Sequence, residues 1–287
     1  MKQMKRMGKM KKHQQTWRAN IVLALFCCAM ACLMVPLQVQ ADSGLLWLVN
    51  PDHPLEADYR PEDLVNINGY LIRPEAKTAF LRMFEHMEAA GIDNVHLQSV
   101  YRPYQYQQVL FEDKVRTLIG LGYDEATARS AASHTVATPG TSEHQTGLAV
   151  DVSVNGQLDA AFGDTEAGIW LKNNSNKYGY IVRYPQDKVE ITRIIYEPWH
   201  LRYVGAPHAQ YMGEYNLCFE EYIQHVREAG IVLFWLDEGN YYKMSYTTVG
   251  DCETPTECNS LYLVDVSSIG TDDGDGYIVT EMKRFIR

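Results

Sequence analysis

The 287-residue sequence predicts an α+β fold in which helices pack on a small antiparallel sheet and a small β-rich appendage follows at the C-terminus. Three observations predict it. Residues 74–134 carry apolar side chains at helical spacing, residues 148–154 alternate with period two, and the chain beyond Gly230 breaks into short β-rich runs. Helices come before strands, an order that fits α+β better than a doubly wound sheet. The expected division is a leader at 1–41, a principal domain at 42–216, and a helix plus β appendage at 217–287.

The first 41 residues hold seven of the 26 Lys and Arg and no Asp or Glu. These cations, Lys2 to Arg18, run into an apolar stretch from Ile21 to Leu37, and Val39-Gln40-Ala41 supplies the −3 and −1 positions of a signal-peptidase cut. The segment reads as an export signal. Because the apolar stretch is at the short end of a bilayer span, retention as an anchor at 21–37 is the other fate. Cys32 follows Ala29-Met30-Ala31, a poor lipidation context. The chain is therefore expected outside the cytoplasm, secreted or held at the cell envelope, touching a membrane only through this segment.

Beyond residue 41, 19 Lys and Arg face 36 Asp and Glu, a balance of −17. So acidic a body repels a phosphate backbone, which excludes nucleic acid as a partner. Three cysteines lie in the leader. Of the other three, Cys252 and Cys258 bracket a turn-rich segment and could pair after export, and Cys218 reads as a buried free thiol. No CxxC pair exists, so cysteine-ligated metal is unsupported.

The first helix is expected over 74–90, with Ala76, Ala79, Phe80, Met83 and Met87 on one face, Pro74 at its start and Gly91 at its stop. A strand at 95–100 delivers Tyr101-Arg102-Pro103 into a second helix over 104–119, and Asp124 caps a third that ends before His134. In the strand at 148–154, Leu148, Val150, Val152 and Val154 share one face, so Asp151 points away from the apolar layer. Thr165 caps a helix that runs to Tyr178 and stops at Gly179. Strands are expected at 180–184 and 189–196, a helix at 219–229, and β runs at 231–236, 241–248, 261–266 and 277–283.

Two segments concentrate metal-competent side chains. SEHQTGLAVD places His144 in a loop and Asp151 on the polar face of the next strand, and Tyr196-Glu197-Pro198-Trp199-His200 supplies a carboxylate and an imidazole three apart. Pro198 keeps that pair out of a helix interior, so it is no HExxH helix. Singly, each of these is more often a satisfied structural residue. Together they offer two imidazoles and a carboxylate for Zn²⁺, an open position for water, and a second carboxylate free to act as base.

SEHQTGLAVD, YEPWH and SVYRPYQYQ resemble the three motifs of the D-alanyl-D-alanine carboxypeptidase family related to the vancomycin-resistance carboxypeptidases and dipeptidases, over about 50–205 with weaker similarity through Tyr222. The resemblance implies a catalytic domain with one Zn²⁺ per chain on His144, Asp151 and His200, Glu197 as catalytic base, and Arg102 beside the scissile bond. It implies a peptidoglycan stem peptide as substrate and release of its C-terminal D-Ala. An L,D-carboxypeptidase or endopeptidase of the same family is the runner-up, and a degenerate stem-peptide binding module the alternative outside enzymes. Bound zinc brings the pKa of water from about 15.7 toward roughly 7, and Glu197 would take up the proton.

Alone, Arg102 would read as a surface ion-pair partner. With the motif it is assigned to the developing oxyanion or the substrate carboxylate. Ser142 either bonds substrate or shapes the Gly140 loop, and Gln107 is a further substrate-binding candidate. His134 and His208 read as structural, Tyr101, Tyr104 and Tyr106 as packing and groove wall, and Trp199 as a side chain that fixes the geometry of its neighbours. Asp272-Asp273-Gly274-Asp275-Gly276 lacks EF-hand ligand spacing and reads as a solvated turn.

Overall fold

The computed structural model describes residues 44–237, 240–248, 266–269 and 276–284. The leader, Cys252, Cys258 and Asp272 to Asp275 lie outside them, as does the expected strand at 261–266 apart from Val266. Among the described residues no helix is long and apolar enough to cross a membrane.

A hairpin of β1 (Val65–Ile67) and β2 (Tyr70–Ile72) leads into helix α1 (Pro74–Ala89). The apolar stripe of α1 is as its spacing requires: Ala76, Phe80, Met83 and Met87 are buried. They pack with Leu148, Val150, Val152, Tyr180 and Leu201 in the main core, where each large side chain contributes roughly 1.5–3 kcal/mol on burial. After β3 (His96–Ser99) come α2 (Tyr104–Gly120) and α3 (Glu125–Ser133), joined by a small core of Phe111, Val115, Ala128 and Ala132. Asp124 caps α3 as expected, accepting from the Thr127 N–H.

A single 3-10 turn (Glu143–Thr146) precedes β4 (Ala149–Ser153). Helix α4 (Glu166–Asn174), capped by Thr165, tightens into a 3-10 turn (Ser175–Tyr178) that ends at Gly179. At φ +84° Gly179 stops the helix, and a Cβ there would lie 2.8 Å from the Tyr203 ring. Strand β5 (Tyr180–Tyr184) and strand β6 (Glu197–Tyr203) complete a four-stranded antiparallel sheet in the order β3-β4-β6-β5. Helices and strands thus interleave instead of running in blocks, yet every pairing is antiparallel.

One expected strand is absent. Residues 189–196 form a one-turn helix α5 (Val189–Thr192) after a 3-10 turn (Gln186–Lys188), and Arg193 at φ 61° ends it. The alternation of Val189 and Ile191 was misleading: Ile191 is exposed, and four residues cannot separate a period of two from one of 3.6. The strand begins at Glu197, so Glu197 to His200 of YEPWH lie on it rather than after one.

Helix α6 (Ala206–Tyr215) was not anticipated, although Pro207 in its first turn is a start signal. Helix α7 (Phe219–Ala229) buries Phe219, Tyr222, Ile223 and Val226 against an antiparallel sheet of β7 (Ile231–Trp235), β8 (Asn240–Thr248), β9 (Val266–Ile269) and β10 (Gly276–Arg284), in the order β7-β8-β10-β9. This second core also takes in Leu46, Ile181 and Val204, so the appendage packs on the same strands that build the central sheet. Cys218 is buried and free.

Candidate active site

Backbone register brings the motif residues together. Asp151 lies at the centre of β4, directly opposite His200 on β6 and Ser99 on β3. Since Val150 and Leu201 face the main core, Asp151 and His200 face the other side of the sheet. His144 reaches the same side from the 3-10 turn, which Gly147 closes at φ +71° with its N–H on the His144 carbonyl. Arg102, between β3 and α2, donates its backbone N–H to that same carbonyl.

Glu197 and His200 are three apart on one strand, so regular pleating would send them to opposite faces. The pairing is not regular here: Val182↔Leu201 is followed by Tyr184↔Glu197, two steps on one strand against four on the other. Both side chains line the same cleft, with Glu197 Oε2 3.8 Å from His200 Nδ1.

His144 Nε2 lies 3.1 Å from Asp151 Oδ2, and His200 Nδ1 lies 3.1 Å from Asp151 Oδ1. One ligand atom from each residue falls within 4.8 Å of the others, and all three residues are buried. His144 Nε2 and Asp151 Oδ1 are buried polar atoms with no hydrogen bond. Atoms so close and so poorly aligned for bonding one another fit shared ligation of a cation, and an N₂O donor set suits Zn²⁺. The other nitrogen of His144, Nδ1, lies 2.5 Å from the Val100 carbonyl, which orients the ring so that Nε2 faces the cleft.

Burial and neighbouring charge set the protonation of each group. Burial, with the positive charge of Arg102, lowers His144 to about 4, so its ring is a neutral ligand at pH 7. Burial opposes the charge on Asp151, but His144 and His200 hold it well below the usual carboxylate range. Burial also works against a charged His200, yet the carboxylates of Asp151 and Glu143 beside it lift it to about 9, so the metal-free ring carries a proton at pH 7 that a bound cation would displace. Burial raises Glu197 to about 7, which is where a group exchanging protons near neutrality works best.

The cleft over these residues has a volume of about 420 Å³. Arg102 lines it with Nη2 3.4 Å from Asp151 Oδ2, and its Nε is buried without a hydrogen bond. Ser142 and Gln107 line it as well. Gln107 is anchored by its Nε2 on the Ala137 carbonyl at 2.7 Å, while its Oε1 is buried and unbonded. Trp199 is buried in the main core and reaches the cleft wall. His134 is exposed and bonds the Arg193 carbonyl, and His208 is buried against the Tyr222 hydroxyl, so neither joins the cluster.

Sequence reasoning missed the layer beneath the histidines. Glu143 is fully buried, and its Oε1 accepts from Arg183 Nε at 2.7 Å and Arg202 Nη1 at 2.9 Å. Burial alone would raise Glu143, but the two guanidiniums hold it well below the usual carboxylate range. Arg183 also forks onto Glu220 of α7, and Arg202 donates to the Leu45 and Trp47 carbonyls. The Tyr184 ring sits 4.9 Å from the His200 ring. A signal was present: one arginine inside the apolar strand YIVRY and another in the apolar run LRYV at the end of β6.

Comparison with known proteins agrees with this geometry. Residues 69–206 match the family VanY: D-alanyl-D-alanine carboxypeptidase. A D-alanyl-D-alanine carboxypeptidase of Enterococcus faecium is 31% identical over 255 residues, covering 84% of this chain and 76% of the relative. A mutant of the vancomycin-resistance D,D-pentapeptidase VanY, solved with Zn(II), is 41% identical with a TM-score of 0.57, covering 62% of this chain and 98% of that one. The LD-carboxypeptidase LdcB is also 41% identical, with a TM-score of 0.56, covering 64% of this chain and 88% of that one. The three motifs, the sheet that gathers them and these matches lead to one conclusion: the chain belongs to the VanY family of D-alanyl-D-alanine carboxypeptidases.

Proposed function

We propose that this chain is a zinc-dependent D,D-carboxypeptidase that releases the C-terminal D-Ala from peptidoglycan stem peptides. The observation that carries the reading is the buried His144–Asp151–His200 cluster with Glu197 and Arg102 at its open side. Membership of the VanY family and the D,D-pentapeptidase relative support the D,D assignment. The substrate lies outside the cytoplasm, which agrees with residues 1–41 acting as an export signal or as an anchor through 21–37. Within the chain, 42–216 would carry the chemistry, and the described residues of 217–287 would brace it through the shared second core.

His144, Asp151 and His200 would hold the zinc ion, which when bound supplies Lewis acidity for activating water and polarising a carbonyl. Glu197, buried and raised to about 7, takes a proton from the attacking water and returns it to the departing amine. Arg102 brings a fixed positive charge to the edge of the cluster, where it stabilises negative oxygen on the substrate. Trp199, Tyr184 and Ile194 wall the cleft and limit the water around the reacting groups.

The test is mass spectrometry of pentapeptide and tetrapeptide stems incubated with the purified protein, with and without chelator. Loss of one alanine from the pentapeptide alone, blocked by chelator, is the expected result. Trimming of the tetrapeptide would move the assignment to L,D cleavage. Two intact substrates alongside tight binding would replace the enzyme with a stem-peptide binding module.

A further inference from the structure

Glu143 stands between Ser142 and His144 in a turn, where a glutamate would ordinarily face water. Here it is fully buried. One of its oxygens, Oε1, is fully engaged by Arg183 and Arg202. The other, Oε2, is buried with no hydrogen bond, and it lies 3.6 Å from His200 Nε2, which is itself buried and unbonded. Two orphaned polar atoms thus face each other directly behind a metal-ligand candidate. A role as counter-ion for the arginines accounts for Oε1 and leaves Oε2 unexplained.

We propose that Glu143 is a positioning residue whose Oε2 accepts the Nε2–H of His200, fixing the tautomer that presents Nδ1 to the metal. The proposal rests on the zinc reading above. His144 is held in the mirror sense: its Nδ1 faces the Val100 carbonyl and its Nε2 faces Asp151. Each imidazole is therefore steered by a buried acceptor on its far side, a carbonyl for one and a carboxylate for the other. The carboxylate makes its imidazole the more electron-rich donor. An isolated buried carboxylate could not stay ionised, and Arg183 and Arg202, both fully buried, are what keep it so. Arg183 is shared with Glu220 on α7, and Arg202 is tied to the backbone at Leu45 and Trp47, so the acceptor is held on a rigid frame.

The experiment uses the full chain and compares Glu143→Gln with Glu220→Gln. An amide has one acceptor oxygen, which the arginines claim, so Glu143→Gln removes the acceptor behind His200. Glu220→Gln disturbs the same Arg183 without facing a ligand. Zinc affinity is read by competition with a chromophoric chelator, ligand geometry by the visible spectrum of the Co(II)-substituted protein, and stability by thermal unfolding of the metal-free protein. Glu143→Gln is expected to weaken zinc binding about 10- to 100-fold and to shift the Co(II) bands. Glu220→Gln should lower the unfolding temperature while leaving affinity and spectrum as in the parent. Unchanged affinity in Glu143→Gln, or an equal loss in both variants, would overturn the proposal.

Because Glu143→Gln could fail to fold, the unsubstituted zinc-loaded protein supplies a second measurement. Long-range ¹H–¹⁵N correlation should place the His200 proton on Nε2, and a proton on Nδ1 overturns the assignment. Failure of the parent chain to take up zinc at all would instead overturn the underlying metal reading.

Discussion

Replacing Glu197 by Gln separates catalysis from metal binding and from stability in one substitution. The side chain keeps its shape but loses the proton-accepting carboxylate. Glu197 is not among the three residues whose ligand atoms converge, so zinc content should stay near one per chain. General acid–base catalysis is worth about 10²- to 10⁴-fold, so kcat should fall by at least about two decades. Stability should move the other way. Burial raises this carboxyl from 4.5 to about 7, so the folded chain holds its proton where the unfolded chain has released it. Between those values stability falls as pH rises. At about 1.4 kcal/mol for each tenfold change in proton affinity, the full cost is about 3 kcal/mol above pH 7. A bound dication would draw the value down, so the comparison belongs on chelator-treated protein. Denaturant unfolding at pH 5 and pH 8 should show the Gln variant gaining on the parent at the higher pH, by up to about 3 kcal/mol. Equal stability at both pH values would refute the buried-carboxylate argument. Retained turnover would refute the assignment of Glu197 as base.

Arg102→Ala should lower kcat/KM by roughly 10- to 200-fold, the equivalent of about 1.5–3 kcal/mol for a charged hydrogen bond. Steady-state kinetics then divides its two roles, because a rise in KM alone marks carboxylate binding and a fall in kcat marks oxyanion stabilisation. Gly147→Ala should cost about 1–3 kcal/mol, since φ is +71° and the new Cβ would lie 2.7 Å from Leu64 Cδ2; an unfolding temperature within a degree of the parent would contradict this. His208 is wholly buried against the Tyr222 hydroxyl, and burial lowers it to about 3. The unfolded chain takes up that proton below about 6.5 and the folded chain does not, so stability should drop by up to about 1.4 kcal/mol for each pH unit below 6.5. Denaturant titrations should show a shallower acid limb in His208→Gln, and identical slopes would remove His208 as the cause.

The elements legible in the sequence were those written in local physics. Pro74, the Ala76–Phe80–Met83–Met87 spacing, the Asp124 cap and the Gly179 stop each act within a few residues, so α1, α3 and α4 follow from neighbours along the chain. The chemistry of the site was legible for a related reason: His144, Asp151, Glu197 and His200 lie in two short motifs whose residue types suit one metal and one base. Residues 189–196 were misread because a single helical turn and a short strand share the same apolar pattern.

What only the tertiary structure decided is how distant residues meet. No local rule pairs Asp151 with His200, and no local rule breaks the β5–β6 register beside Glu197 and brings it into one cleft with His200. Nor does any rule of spacing join Glu143 to Arg183 and Arg202, 40 and 59 residues away. Periodicity and capping are set by the backbone of a few neighbouring residues, whereas register and buried charge pairing are settled by the packing of the whole core. The residues of the site are a property of the sequence, and their convergence on one cleft is a property of the fold.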